Sequence, residues 1–158
     1  MTSRTLYVGH AMSKVGKGGR IKIPESFGTV LSKNGGQLRI LIGKSLTENC
    51  WVCYDAGLLS LDFDQCRSLI YPHDFARNDS LSDLDRSILS TLFVLDVSLG
   101  YSFRLPKALA ESCFEGEQMV FVSMGYAFEI WDIDALLNSE HTHTNLASLI
   151  EREKISVH

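Results

Sequence analysis

Two stretches of this chain, eighty-two positions apart, carry nearly the same text. Gly18-Gly19-Arg20-Ile21-Lys22-Ile23-Pro24 is a glycine turn, a strand alternating basic and apolar residues, and a proline stop. Gly100-Tyr101-Ser102-Phe103-Arg104-Leu105-Pro106 repeats that design. The offset of 82 makes Gly18/Gly100, Pro24/Pro106 and Gly43/Gly125 identities, and pairs Ile21, Lys22 and Ile23 with Phe103, Arg104 and Leu105. It also matches Leu38, Ile40 and Ile42 with Val120, Val122 and Met124. Beyond Gly43 the first copy is five residues longer, so that Tyr54-Asp55 meets Trp131-Asp132 at an offset of 77. One offset held across turn, strand, helix and strand restricts the fold to a duplicated unit. The expected architecture is α+β and β-rich, with two β-α-β-β modules joined by helices.

The order of elements follows from local pattern. Residues 4–12 suggest a short strand, and Ser13 to Gly19 a turn, because glycines tolerate positive φ and let a backbone approach a partner closely. Arg20 to Ile23 has a period of two, with both isoleucines on one side and both cations on the other. Pro24 suits a first helical turn, so a short helix is expected over Glu25 to Leu31, followed by strands Gln37–Ile42 and Cys50–Tyr54. Ala56 to Ile70 has apolar residues near helical spacing. Tyr71 to Asn78 suggests a loop, and Ser80 with Asp83 a capping-box start for a helix from Leu81 to Leu92. Strands Ser102–Leu105, Gln118–Met124 and Ala127–Trp131 repeat the earlier order, and a helix from Ile133 closes it. The expected organisation is a basic first module over 1–55, a helical linker over 56–93, a second module over 94–137, and a polar tail over 138–158 that can be helical.

The net charge of -4 argues by itself against a nucleic-acid partner, but the charge is unevenly placed. Residues 1–60 hold eight basic residues (Arg4, Lys14, Lys17, Arg20, Lys22, Lys33, Arg39 and Lys44) against Glu25, Glu48 and Asp55. That part is basic and the remainder strongly acidic, an asymmetry that bears on partners. No apolar run approaches the roughly 20 residues that span a bilayer. The N-terminus lacks a charged-then-apolar signal pattern, and four cysteines without disulfide-scaffold spacing fit a reducing cytoplasm.

Lys14, Lys17, Arg20 and Lys22 lie on or beside the glycine turn, and Arg20 and Lys22 point the same way from a strand. Cations so placed can neutralise phosphates, while glycine N–H groups reach phosphate oxygens. A two-stranded ribbon fits the major groove, where arginine pairs with guanine edges. Arg104 and Lys107 make a weaker second set. The competing reading is a solvated polar face on an amphipathic strand.

Phe128-Glu129-Ile130-Trp131 after Met124-Gly125, the Gly-Arg-Ile-x-Ile-Pro strand, and Cys50 leading into Tyr54 together resemble the MraZ family, over residues 5 to 137. The resemblance implies two tandem AbrB-like swapped-hairpin modules with a pseudo-symmetric β-core. It also implies a DNA-binding regulator of a cell-division and cell-wall gene cluster, assembled as a homo-oligomeric ring and associated with the nucleoid. Double-stranded promoter repeats are the implied partner, and no cofactor is implied. The family's Asp-x-x-x-Arg segment stands here as Gly16 with Arg20 in the first copy, and as Ser98 with Ser102 in the second. The first copy is therefore the expected DNA-reading hairpin and the second the expected ring contact. A second reading is an oligomeric interaction or antitoxin-like module that kept the fold and lost operator recognition.

Other motifs have plainer accounts. Cys50-Trp51-Val52-Cys53 has redox-dithiol spacing, but a reactive pair belongs at a helix N-terminus, and no second pair completes a zinc set. His141-x-His143 lies in a polar tail without an acidic or cysteine partner. Asp79 to Asp85 marks a helix start, where acidic groups favour the helix dipole. Phe121, Phe128 and Trp131 fit a core or subunit interface better than a ligand pocket. Neither a Ser-His-Asp order nor a phosphate-loop or dinucleotide fingerprint supports an enzyme, and no metal is expected.

Overall fold

Ile21 and Ile23 are fully buried while Arg20 and Lys22 are exposed, so the alternation in the first copy sorts its two faces as the period of two requires. The strand that carries them, β2 (Arg20–Lys22), pairs antiparallel with its own repeat, β6 (Ser102–Arg104), in the register Arg20↔Arg104, Ile21↔Phe103 and Lys22↔Ser102. The pairing is two-fold symmetric beyond the strands. Ile23 N donates to the Tyr101 carbonyl at 2.7 Å, and its counterpart Leu105 N donates to the Gly19 carbonyl at 3.0 Å. The computed structural model describes residues 4–45, 48–70, 83–109, 118–140, 142 and 144–156. The loop expected over Tyr71 to Asn78, the Ser80 cap, the acidic residues before Asp83, and His141 and His143 lie outside the described residues.

The remaining strands form one sheet in the order β1-β7-β8-β4-β3-β5. β1 (His10–Lys14) pairs with β7 (Gln118–Ser123), and β5 (Phe93–Asp96) pairs with β3 (Arg39–Lys44). β4 (Trp51–Asp55) and β8 (Phe128–Asp132) meet at the centre. Each half thus donates its first strand to the hairpin of the other. The fold is α+β with a mostly antiparallel six-stranded sheet.

The register corrects the repeat alignment at one place. Ile42↔Cys53 in the first copy corresponds to Phe121↔Ile130 in the second, an offset of 79 for β3/β7 and 77 for β4/β8. The offset of 82 holds for β2/β6, whose pairing maps onto itself. Burial agrees, because Ile40 and Ile42 join the central core as do Met119 and Phe121, while Leu41 and Val120 pack on the opposite face. Ile40 and Ile42 are thus equivalent to Met119 and Phe121, and not to Val122 and Met124. Three of the five missing residues fall before β7, and two in the turn between β7 and β8.

Helix boundaries differ from expectation for capping reasons. α1 (Glu25–Gly35) runs a turn past Leu31 and ends at Gly36, whose φ of +65° lets its N–H return to the Ser32 carbonyl. Ala56 to Ile70 is not one helix. The Asp55 carboxylate accepts from Gly57 N and starts a 3-10 turn, Ala56–Ser60. A reciprocal Asp62/Gln65 cap then opens α2 (Phe63–Ile70). α3 (Asp83–Thr91) stops short of Leu92 because Phe93–Asp96 continues as the edge strand β5, and the first strand lies at His10–Lys14, partly in the expected turn. Asp132 caps α4 (Ile133–Leu137), and the polar tail forms α5 (Thr144–Ser156).

The sheet is covered on both faces. One face, with Ile40, Ile42, Cys53, Phe121 and Phe128, packs against Ile21, Ile23 and Phe103 of the ribbon and Phe27 and Leu31 of α1. On the other face, α4 and α5 cover Val120 and Trp131, while the 3-10 turn covers Leu41 and Tyr54. At the left-handed position before each ribbon strand the first copy has Gly19 (φ +77°) and the second has Tyr101 (φ +63°). The Tyr101 ring lies over Gly28, where an added Cβ would meet ring carbons at 2.5 Å. Gly28→Ala is therefore expected to destabilise by about 1–3 kcal/mol in urea titrations. In a Tyr101→Gly background, with the ring gone, most of that penalty should vanish.

Candidate nucleic-acid interface

The outward face of the β2/β6 ribbon collects cations from both copies. Arg20, Lys22 and Arg104 are exposed on it, and Lys14 and Lys107 are exposed on the segments leading in and out. The backbone of Lys17 lies in the 3-10 turn Lys17–Gly19, which ends in two glycines at positive φ. In the repeat Arg104 is the counterpart of Lys22. Across the ribbon, however, it stands directly opposite Arg20. Sequence reasoning treated Arg104 as a separate, weaker set, whereas the pairing brings it into one constellation with Arg20.

The ribbon holds these side chains by contacts between copies. Arg20 Nη1 donates to Ser102 Oγ at 3.1 Å, and Lys22 Nζ donates to the Gly100 carbonyl. Ser102 is itself fixed by Ser98, through Oγ–Oγ contact at 2.9 Å and Ser102 N to Ser98 Oγ at 3.1 Å. Like charges at directly opposed strand positions repel, by about 0.2–1 kcal/mol. An anion lying between Arg20 and Arg104 reverses that sign.

Two other cations of the basic half are occupied. Arg4 pairs with Asp55 at 2.9 Å and Arg39 with Asp96 at 3.0 Å. In contrast, Lys14, Arg20, Lys22, Arg104 and Lys107 form no ion pair among the described residues. Pairing thus takes Arg4 and Arg39 out of the free positive charge of residues 1–60, while the ribbon cations stay available to a partner.

The other motifs lie elsewhere. Cys50, just before β4, and Cys53, in its middle, are buried, and burial raises both thiols well above the ordinary cysteine range. That disfavours the thiolate a redox pair needs. Phe121 and Phe128 are fully buried in the central core, and Trp131 lies under α4 and α5. Among the described residues no group of three His, Cys, Asp or Glu could hold a metal ion, and no helix is long and apolar enough to cross a membrane. α3 begins at Asp83.

Glu129 is a partly buried carboxyl that sequence reasoning missed. It accepts from Trp131 Nε1 at 3.0 Å and from Cys50 Sγ at 3.6 Å, and burial raises its pKa above 4.5. Between 4.5 and its raised value the folded state holds a proton that the unfolded chain has lost, so stability falls as pH rises through that window. Glu129→Gln, which can still accept from Trp131, should flatten this slope in urea titrations at pH 4 to 7. It should leave stability at pH 7 equal to or above that of the parent.

Comparison with known proteins follows the same direction. No protein-family model matches the chain. A curated protein of Beijerinckia indica subsp. indica, named transcriptional regulator MraZ, is 27% identical over 126 residues, which is 80% of this chain and 73% of that protein. The chain is thus distantly similar, over most of its length, to a protein named as a transcriptional regulator.

Proposed function

We propose that this chain is a DNA-binding transcriptional regulator of the MraZ type and not an enzyme, and that it works in the cytoplasm on the nucleoid. The observation that carries the reading is the exposed ribbon, on which Arg20 and Arg104 face each other without an acidic partner among the described residues. Lys14, Lys17, Arg20 and Lys22 bind DNA, with Arg104 and Lys107 adding to them. The modules over 1–55 and 94–137 are AbrB-like swapped hairpins, a reading supported by the exchange of first strands and the pairing of β2 with β6. A ribbon of three residues per strand offers few contacts. Affinity therefore comes from repeating it around a homo-oligomeric ring along promoter repeats, in front of a cell-division and cell-wall gene cluster.

Fluorescence anisotropy with the protein's own upstream promoter duplex tests this reading, alongside a random duplex of equal length. The wild type should prefer the promoter, and log K should fall steeply with log salt. Arg20→Ala should lose about 1–3 kcal/mol on the promoter, the worth of one bidentate guanine contact. If the promoter binds no tighter than random duplex, the regulator reading fails and the interaction-module reading takes its place. Unchanged binding by Arg20→Ala removes the ribbon from the site. Gel filtration at low and high salt tests the ring, and a monomer in both buffers ends it.

A further inference from the structure

The ribbon's two ends are not chemically alike. In the antiparallel register one end carries the Lys17–Gly19 turn with Arg20 and Arg104. The other carries the turn through Ser98, Leu99, Gly100 and Tyr101, with Ser102 and Lys22. The offset of 82 places Leu99 where the first copy has Lys17. Leu99 is 91% exposed, although it stands beside a cationic surface and contributes nothing to the core.

The turn that presents Leu99 is pre-formed. Ser98 N donates to the Ser102 carbonyl at 2.8 Å, and Tyr101 N donates to the Ser98 carbonyl at 2.9 Å. Tyr101 holds its left-handed φ of +63° with its ring lying over Gly28. An apolar side chain displayed on such a turn loses little freedom on binding.

Building on the DNA-binding reading, we propose that Leu99 is a specificity-determining residue, contacting the 5-methyl group of a thymine in the major groove. The opposite end, with Arg20, Arg104 and position 17, anchors the phosphates and guanine edges. The chemistry limits the choice. The thymine methyl is the apolar group that a base pair presents on the major-groove edge, and apolar side chains read it. Ser98 and Ser102 beside Leu99 are hydroxyls that accommodate either base. The ribbon therefore reads a non-palindromic element in one direction, despite its two-fold backbone.

Selection from a randomised 20-base-pair duplex pool tests this, using wild type, Leu99→Ala and Leu99→Lys. Leu99 is exposed, so neither change disturbs the core. The wild type should enrich an asymmetric element with thymine at one flank. Leu99→Ala should lose about tenfold on that duplex with an unchanged salt slope, because no phosphate contact is removed. Uracil in place of the flanking thymine should weaken the wild type several-fold and leave Leu99→Ala unaffected. Leu99→Lys should bind random duplex more tightly, with a salt slope steeper by about one.

The proposal is overturned if Leu99→Ala binds the same duplex equally well and enriches the same element. It is also overturned if that change alters the gel-filtration size while DNA binding stays intact, which would place Leu99 against another copy. Failure of the wild type to bind any duplex ends both this inference and the regulator reading. Binding that depends on Arg20 but not on Leu99 ends this inference alone.

Discussion

Asp55→Ala should lower the free energy of unfolding by about 3–5 kcal/mol, the range for removing one partner of a buried ion pair. Asp55 is fully buried, and its Oδ2 accepts from Arg4 at 2.9 Å, Tyr7 at 2.8 Å and Asn34 at 3.1 Å, while Oδ1 accepts from Gly57 N at 3.0 Å. Deleting the carboxylate removes the acceptor of all four donors, and leaves the buried Tyr7 hydroxyl and Gly57 N–H to bear the desolvation cost. Tyr7→Phe removes one donor and leaves the carboxylate three others, so about 1–2 kcal/mol is expected there. Urea titration followed by circular dichroism separates the two, and equal losses would show that the network does not centre on Asp55.

Phe27→Ala should be comparably severe, at about 3–5 kcal/mol for an aromatic side chain deleted from a packed core. Phe27 projects from α1 of the first half, yet its ring lies 6.0 Å from that of Phe121 and 5.4 Å from that of Phe128, both in the second half. It also stacks on Tyr7 at 6.1 Å. The loss should therefore be felt in both halves at once. Trp51 lies in the first half and Trp131 in the second, so single-tryptophan versions of the Phe27→Ala protein can report on each. In each version the fluorescence midpoint in urea should coincide with that from circular dichroism. A separate earlier transition around Trp51 would show that the halves unfold independently.

Much of the fold was legible because the repeat carried it. Alternation in Arg20–Ile23 assigned its two faces correctly, and Pro24 marked the start of α1. The register of β3 against its repeat was misread by three residues for a physical reason. Ile40, Leu41 and Ile42 are all buried, since the sheet is covered on both faces, and a strand apolar on both sides carries no alternation to fix its phase. β5 was hidden because it is only four residues long and a single residue, Leu92, separates it from α3, too short a stretch to show an alternation of its own. Among the site residues, the sequence showed which cations share a strand face. It could not show that Arg20 and Arg104 are neighbours, because pairing between distant strands leaves no local trace. Leu99 did have a signal, namely an apolar residue at the repeat position of Lys17, but its meaning depends on exposure.

The exchange of first strands also sets a timetable for synthesis. β1 finds its hydrogen-bonding partner in β7, with Lys14 opposite Gln118 and His10 opposite Val122. At about 5–20 residues per second, the ribosome holds β1 for roughly five to twenty seconds before its partner exists. During that time Ile21 has no Phe103 to face, and the hairpin of β3 and β4 has an open edge where β5 belongs. Unpaired edges and uncovered apolar strands invite association between nascent chains. The same geometry that welds the finished halves together makes the half-made chain the most aggregation-prone form this protein passes through.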